Sequence, residues 1–253
     1  MTYSLSYLLI FCSNNYIIVS MVDEITYDFD IYANTAKAVS SQRFFKTKKG
    51  EYGFGDKFIG LTVPQVRLIA KKYTNMVSLS DIEKLLHSSV HEHRLCALII
   101  LVNLSKHANI QKLTRLKNCY TKNKRFVNNW DLVDVSAHHI LGNWCYLTQN
   151  EVFLKKLAHS RNLWDKRIAM VSTYYFIKNN SLQTAFTIAK VLLFDSHDLI
   201  HKAVGWMLRE AGKKDQKQLE QFLQYYASTM PRTALRYAIE KFSPKKRRRY
   251  MNI

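Results

Sequence analysis

Turn-forming residues are what this chain has least of. Seven glycines and three prolines in 253 residues are too few for the closely spaced turns of a sandwich or barrel. What remains are long apolar periodicities, which predict an all-α protein. Acidic side chains are half as frequent as basic ones, 19 against 38, giving a formal net charge of +19. Charge does not choose a fold; unless it reflects only a general basic bias, this excess predicts attraction to polyanions, nucleic acid or an anionic membrane surface. The four cysteines, Cys12, Cys96, Cys119 and Cys145, form no CxxC pair and read as small buried hydrophobes in a reducing compartment. Metal-ligand spacing is also missing. His91 and His93 are two apart and His138 and His139 adjacent, and neither pair presents both rings to one ion as an i,i+4 pair on a helix would. Neither a metal nor a cofactor is expected.

No uninterrupted apolar run reaches membrane-spanning length. Residues 1–20 are apolar but lack a basic start, and Ser13-Asn14-Asn15 breaks them, which suits neither a signal peptide nor a span. Met21 resembles an ordinary soluble start, so residues 1–25 read as a misassigned beginning, a loosely attached extension or an interfacial anchor. A helical pattern follows from Thr26 to Phe45. The stretch 46–56 holds three of the glycines and three lysines; it is a loop by turn chemistry, either a plain connection or a place where lysines and amides meet a phosphate. Thr62 and Pro64 predict the next helix start, and Ser80 to Glu83 a capping box. Helical patterns then recur at about 91–106, 109–123, 130–147, 150–159, 163–179, 181–193, 197–212, 215–227 and 231–242. No linker divides them, so 26–242 reads as one domain. Pro244 is expected to stop the last helix, leaving 243–253 as a basic tail with five consecutive cations, Lys245 to Arg249, that suits non-specific phosphate contact.

A repeat runs through the domain: a basic residue, a spacer, then two apolar or small residues. It stands at Arg67, Arg94, Arg167, Lys202 and Arg232, and in the same register at Asp134, with successive spacings of 27, 40, 33, 35 and 30. That is the period of helical-hairpin repeats, which stack into an α-solenoid whose concave, basic groove cradles an extended ligand. Asp134 is one acid in a column of bases.

Around it the aromatic residues gather. Trp130 and Asp134 are i,i+4 and share a helix face, Trp164 and Arg167 share another, and Trp206 follows Gly205, where a missing side chain allows close approach. Taken singly, each tryptophan reads as core and Asp134 as a cap or dipole partner. Three of the four tryptophans, however, lie within four residues of the repeat slot. If the column faces the groove, Asp134, Arg167 and Lys202 converge there, flanked by Trp130 and Trp206. A carboxylate facing a sugar stabilises positive charge at its anomeric carbon or orients a water, and indole faces attract cations.

Four stretches carry a resemblance: Gly55 to Gly60 with Val63-Pro64 and Arg67; Asn129-Trp130-Asp131-Leu132-Val133-Asp134; Trp164 with Lys166-Arg167; and Lys202 to Glu210. Together they resemble the AlkD-like DNA alkylation repair family, DNA glycosylases of HEAT-like repeats, across nearly the whole of 26–242. The resemblance implies excision of positively charged N3- or N7-alkylated purines from duplex DNA, with the lesion left in the stack. It assigns the site to Asp134, Trp130 and Trp206 and phosphate contact to Arg167; Lys166, Lys202, Arg94, Lys57 and Arg209 are the further cations expected at DNA. The lack of any purine-reading pocket agrees. The expected protein is a monomer, cytoplasmic and DNA-associated, without membrane attachment. Two other readings stay open: a non-catalytic solenoid that binds DNA structures, since the family includes such members, and a repeat scaffold for an acidic protein.

Overall fold

A computed structural model describes residues 9–12, 15–18 and 20–253. From Ser20 onward the chain is all-α, a succession of short helices. Before it, within the region read as an extension, Leu9–Cys12 (β1) and Asn15–Ile18 (β2) pair antiparallel, Leu9 opposite Ile18. No helix among the described residues is long and apolar enough to cross a membrane. The chain divides into two compact units, Met1–Leu104 and Ser105–Ile253.

In the first unit the helices are α1 (Met21–Ile31), α2 (Thr35–Phe44), α3 (Val63–Tyr73), α4 (Leu79–Leu86) and α5 (His91–Ser105). The expected single helix over 26–45 is two. Asn34 ends the first by capping the second, its side chain accepting from the Lys37 amide at 2.9 Å. Helix α1 begins at Met21, ahead of the helical pattern read from Thr26, because Ser20 and Asp23 close a reciprocal capping box at its head. Thr62 caps α3 with Pro64 in the first turn, as the sequence predicts. The box on α4 is Ser78 with Asp81, not Ser80 with Glu83: Ser78 has the reciprocal acid three residues on, and the helix begins two residues sooner. Helix α5 is apolar on every side from Leu95 to Val102, so it is the buried centre of its unit.

Asp56 organises the loop of residues 46–56. It sits buried against Arg94 at 2.7 Å and His91 at 3.1 Å. His91 in turn stacks with Phe45 and Phe58, ring centroids 4.6–5.1 Å apart. Burial alone would raise the Asp56 carboxyl, but the hydrogen bond from His91 and the charge of Arg94 outweigh it and hold it below its ordinary value. The buried Glu92 carboxylate accepts from the amides of Ile59 and Gly60 at 3.1 and 2.8 Å. Gly60 has φ +87°, and a Cβ there would lie 2.0 Å from the Asn34 carbonyl oxygen.

The second unit holds α6 (Ile110–Lys122), α7 (Trp130–Ala137), α8 (Asn143–Leu147), α9 (Glu151–Ala158), α10 (Leu163–Lys178), α11 (Gln183–Leu192), α12 (Asp198–Lys214), α13 (Gln216–Tyr226), α14 (Arg232–Ala238) and α15 (Pro244–Met251). Helices α7, α10, α12 and α14 pack successively in one row, while α9, α11 and α13 lie along it in a second. Helix α10, apolar nearly all round, is the centre, touching α7, α9, α11 and α12. Gly205 is where α12 and α14 meet, since a Cβ would fall 2.5 Å from the Ala234 carbonyl oxygen. The close approach predicted there is thus helix against helix. Pro244 does not end the helical structure: Ser243 caps α15 and Pro244 occupies its first turn, where its missing N–H costs nothing. The basic tail is therefore a helix.

Gly60→Ala is expected to destabilise the protein by at least about 2 kcal/mol, because both the left-handed backbone and the contact with Asn34 forbid a Cβ. Gly50→Ala, with similar φ but open space around it, should cost less. Urea titration of both variants checks the order.

Candidate active site

The buried Asn129 caps α7, its side chain accepting from the Trp130 amide at 2.8 Å, and so sets Trp130 in the first turn with Asp134 one turn on. Asn162 caps α10 in the same way, accepting from Trp164 and Asp165 at 2.8 and 3.2 Å, which places Arg167 in the second turn. These two starts bring Asp134 and Arg167 face to face. Nε of Arg167 donates to Oδ1 of Asp134 at 3.0 Å and Nη2 to Oδ2 at 2.8 Å, a two-pronged contact, while Nη1 donates to the Leu199 carbonyl at the head of α12. The Arg167 side chain is 6% exposed and that of Asp134 21%. Burial pushes the Asp134 carboxyl above its ordinary value; Arg167 opposes this, and Asp131 one turn back adds to it.

After Ala137 the helix opens into a π turn, His138–Gly142, before resuming as α8. Such turns arise where an extra residue is accommodated and frequently at functional sites. The His138 ring stands edge-on to Tyr174 of α10, centroids 5.2 Å apart, and Tyr174 lies 6.3 Å from Trp206 of α12. His138 follows Asp134 by one helical turn, and its Nδ1 is buried with no hydrogen-bond partner among the described residues. Ring contacts thus link His138, Tyr174 and Trp206, while Asp134 and Arg167 pair with each other. Trp130 and Trp206 are half-buried, so part of each indole stays accessible; Trp164 is core. His138 and Tyr174 escape a reading of the sequence because neither belongs to the repeat column; the adjacent histidines carry no spacing signal.

The cations expected at DNA are mostly engaged by acids. Lys166 pairs with Asp195, Arg209 with Glu240 and Glu210, Lys202 with Asp198 one turn earlier, and Arg94 with Asp56. Lys124 likewise holds the buried Asp165 at 2.6 Å. Arg94 is 4% exposed and anchors the 46–56 loop, so burial removes it from the surface on which a phosphate contact depends. Of the six, Lys57 stands exposed with no acid partner among the described residues. Lys166, Arg209 and Lys124 pair with acids about one repeat away, so these cations serve first to bind repeat to repeat, whereas Lys202 pairs within its own helix. Asp134 fits that rule, as the acid that answers Arg167. Among the described residues no group of three or more His, Cys, Asp or Glu is placed to hold a metal ion.

Successively packed helices, with a carboxylate on one fixed by a buried guanidinium on the next, define a helical-repeat protein with a charged site. The family model described as DNA alkylation repair enzyme matches residues 25–242, and the chain belongs to that family. A solved structure, "Predicted DNA alkylation repair enzyme from Enterococcus faecalis", superposes with a TM-score of 0.67, covering 84% of this chain and 97% of that one. At 17% identity it shows a shared fold. Comparison with curated proteins found no match.

Burial holds His138 neutral, with the charges of His139 and Lys178 assisting, and its pKa is pushed down to about 3 from 6.5. Its folded pKa lies below its unfolded one, so the unfolded chain takes up the proton first as pH falls. Stability is therefore lost progressively from about pH 6.5 towards 3. His138→Gln removes the titration. Its thermal midpoint should fall less steeply than that of the wild type between about pH 6.5 and 4.5.

Proposed function

We propose that this protein is a monofunctional DNA glycosylase that releases positively charged N3- and N7-alkylated purines, 3-methyladenine and 7-methylguanine, from duplex DNA. The observation that carries the reading is the Asp134–Arg167 pair in a member of a DNA alkylation repair family. Cleaving the N-glycosidic bond of a cationic purine moves positive charge onto the sugar while the base leaves neutral. A fixed carboxylate close to that sugar stabilises the oxocarbenium-like transition state and orients the attacking water. Asp134 suits this role because it is partly desolvated, which strengthens its field, yet 21% exposed, which leaves an edge for substrate. Arg167 is then a positioning residue: with Nε and Nη2 on Asp134 and Nη1 on Leu199, it holds the carboxylate rather than a phosphate. Trp130 and Trp206 offer indole faces to the cationic nucleotide. A lesion whose glycosidic bond is already weak requires no pocket that reads the purine.

The same pair favours a second reading. A carboxylate neutralised by a bidentate guanidinium also serves as a tie between α7 and α10, and a non-catalytic protein that binds DNA structures would keep it for that purpose. The two readings part on chemistry. With methylated duplex DNA under single-turnover conditions, the wild type is expected to release free 7-methylguanine and 3-methyladenine, and Asp134→Asn to do so at least about 100-fold more slowly while still binding DNA. Binding without release by either protein would leave Asp134 a structural tie. Because burial raises the Asp134 carboxyl, enzymatic release should decline on the acid side at a higher pH than an exposed aspartate would give, and Asp134→Asn should lack that limb.

A further inference from the structure

The ion pairs between repeats occupy many of the cations in the helical stack, yet the chain carries a net charge of +19. Much of that excess is concentrated in α15. Its residues 245–249 are Lys-Lys-Arg-Arg-Arg, all exposed. Lys246 and Tyr250, one turn apart, face the body of the unit. Lys246 pairs with Glu220 of α13 at 2.5 Å and lies over the Phe242 ring, and Tyr250 packs on that ring with centroids 5.6 Å apart. From α14, Arg232 donates to the carbonyl of Met251. Arg249 feels the same Glu220 carboxylate, which Lys246 holds below its ordinary value. Lys245, Arg247 and Arg248 fall on the remaining arc of the helix and have no acid partner among the described residues.

Local physics does not favour such a helix. Lys245 with Arg248 and Arg249, and Lys246 with Arg249, are like charges at i,i+3 and i,i+4, which repel on a helix surface. Two lysines in the first turn also oppose the helix dipole. The fold nevertheless builds α15 with a side-chain cap at Ser243, an aromatic anchor and a carboxylate on its inner face. It thereby holds its outer cations in a fixed arrangement without supplying their counter-charge.

We propose that the outer face of α15 is a phosphate-binding surface that docks the DNA backbone independently of sequence, separate from the chemistry around Asp134. The inference rests on the proposed function only in taking DNA as the polyanion. Lys245, Arg247 and Arg248 displace counterions from phosphates and add to affinity and to its salt dependence; they play no part in breaking the glycosidic bond.

The test compares the full-length wild type with K245A/R247A/R248A, which leaves Lys246 and Tyr250 to hold the helix. Binding to an unmodified duplex is measured from about 50 to 200 mM NaCl. The plot of log K against log[salt] should become shallower by about 2–3 units for the variant, and affinity at about 100 mM should drop at least about tenfold. R247K/R248K, which keeps the charge, should retain the wild-type slope; if the alanine variant were to unfold, a loss of slope by this conservative one would overturn the proposal. An unchanged slope in a folded alanine variant would overturn it as well. So would unchanged DNA binding with lost affinity for phosphatidylserine vesicles, which would assign α15 to a membrane surface. Since the duplex is unmodified, absence of base release does not affect this outcome.

Discussion

Arg167 reaches in two directions from the centre of the second unit, with two hydrogen bonds to the Asp134 carboxylate on α7 and one to the Leu199 carbonyl at the start of α12. Three successive helices of the inner row are thereby referred to one planar group. Guanidinium suits this place because its donors lie in a fixed fork that matches a carboxylate and leaves another edge free for a third acceptor. The ammonium of lysine, a point charge, would fix neither orientation. Buried as it is, Arg167 would be costly without Asp134, on the order of 3–5 kcal/mol for an uncompensated buried charge, less to the extent that Asp134 meets solvent.

The rest of the second unit repeats this logic with variations. Lys124 with Asp165, Lys166 with Asp195 and Arg209 with Glu240 each join elements 29–41 positions apart. Apolar contact between helices is non-directional and tolerates sliding. Charged pairs that must meet at one register do not, so such pairs set how each repeat seats on the next. The first unit uses a different device with the same parts, burying Asp56 between Arg94 and His91 so that a glycine-containing loop takes one shape. In each unit a buried arginine, Arg94 or Arg167, is answered by a carboxylate, while Lys57, with no acid partner among the described residues, lies at the surface.

This division has a functional consequence. The proposed function calls for cations that phosphates can reach and a carboxylate that can meet a sugar, and these demands conflict if placed together unshielded. Asp134 is screened by Arg167 from behind, so its exposed edge does not project the full field of a bare anion towards a polyanionic ligand. Tyr174 stands between His138 and Trp206 in a row of neutral rings, His138 being kept uncharged by burial. The π turn after Ala137 is the local irregularity through which His138 enters this set.

Much of the architecture is legible along the chain because it depends on local rules. The scarcity of glycine and proline, the apolar periodicity and the cap at Thr62 determine that the protein is helical and roughly where its helices start. The misplaced starts, at Ser78 and across Asn34, and the unforeseen α15 are places where two polar residues compete for one cap or where proline begins a helix instead of ending one. Asp134 stands out in sequence because it breaks the basic column. Its partner does not, since nothing in a linear pattern tells whether an arginine 33 positions away meets that carboxylate or a ligand. Which cations meet acids is likewise a tertiary matter: nothing local in the sequence separates Arg94, Lys166 and Arg209, which pair with acids, from Lys57, which has no acid partner among the described residues. Only the packing of neighbouring repeats brings acids to three of them and leaves the fourth in solvent. The sequence by itself determined the helices, the repeat and the odd acid; the tertiary structure decided which charges neutralise one another, because Coulomb pairing depends on distances in space that repeat stacking alone establishes.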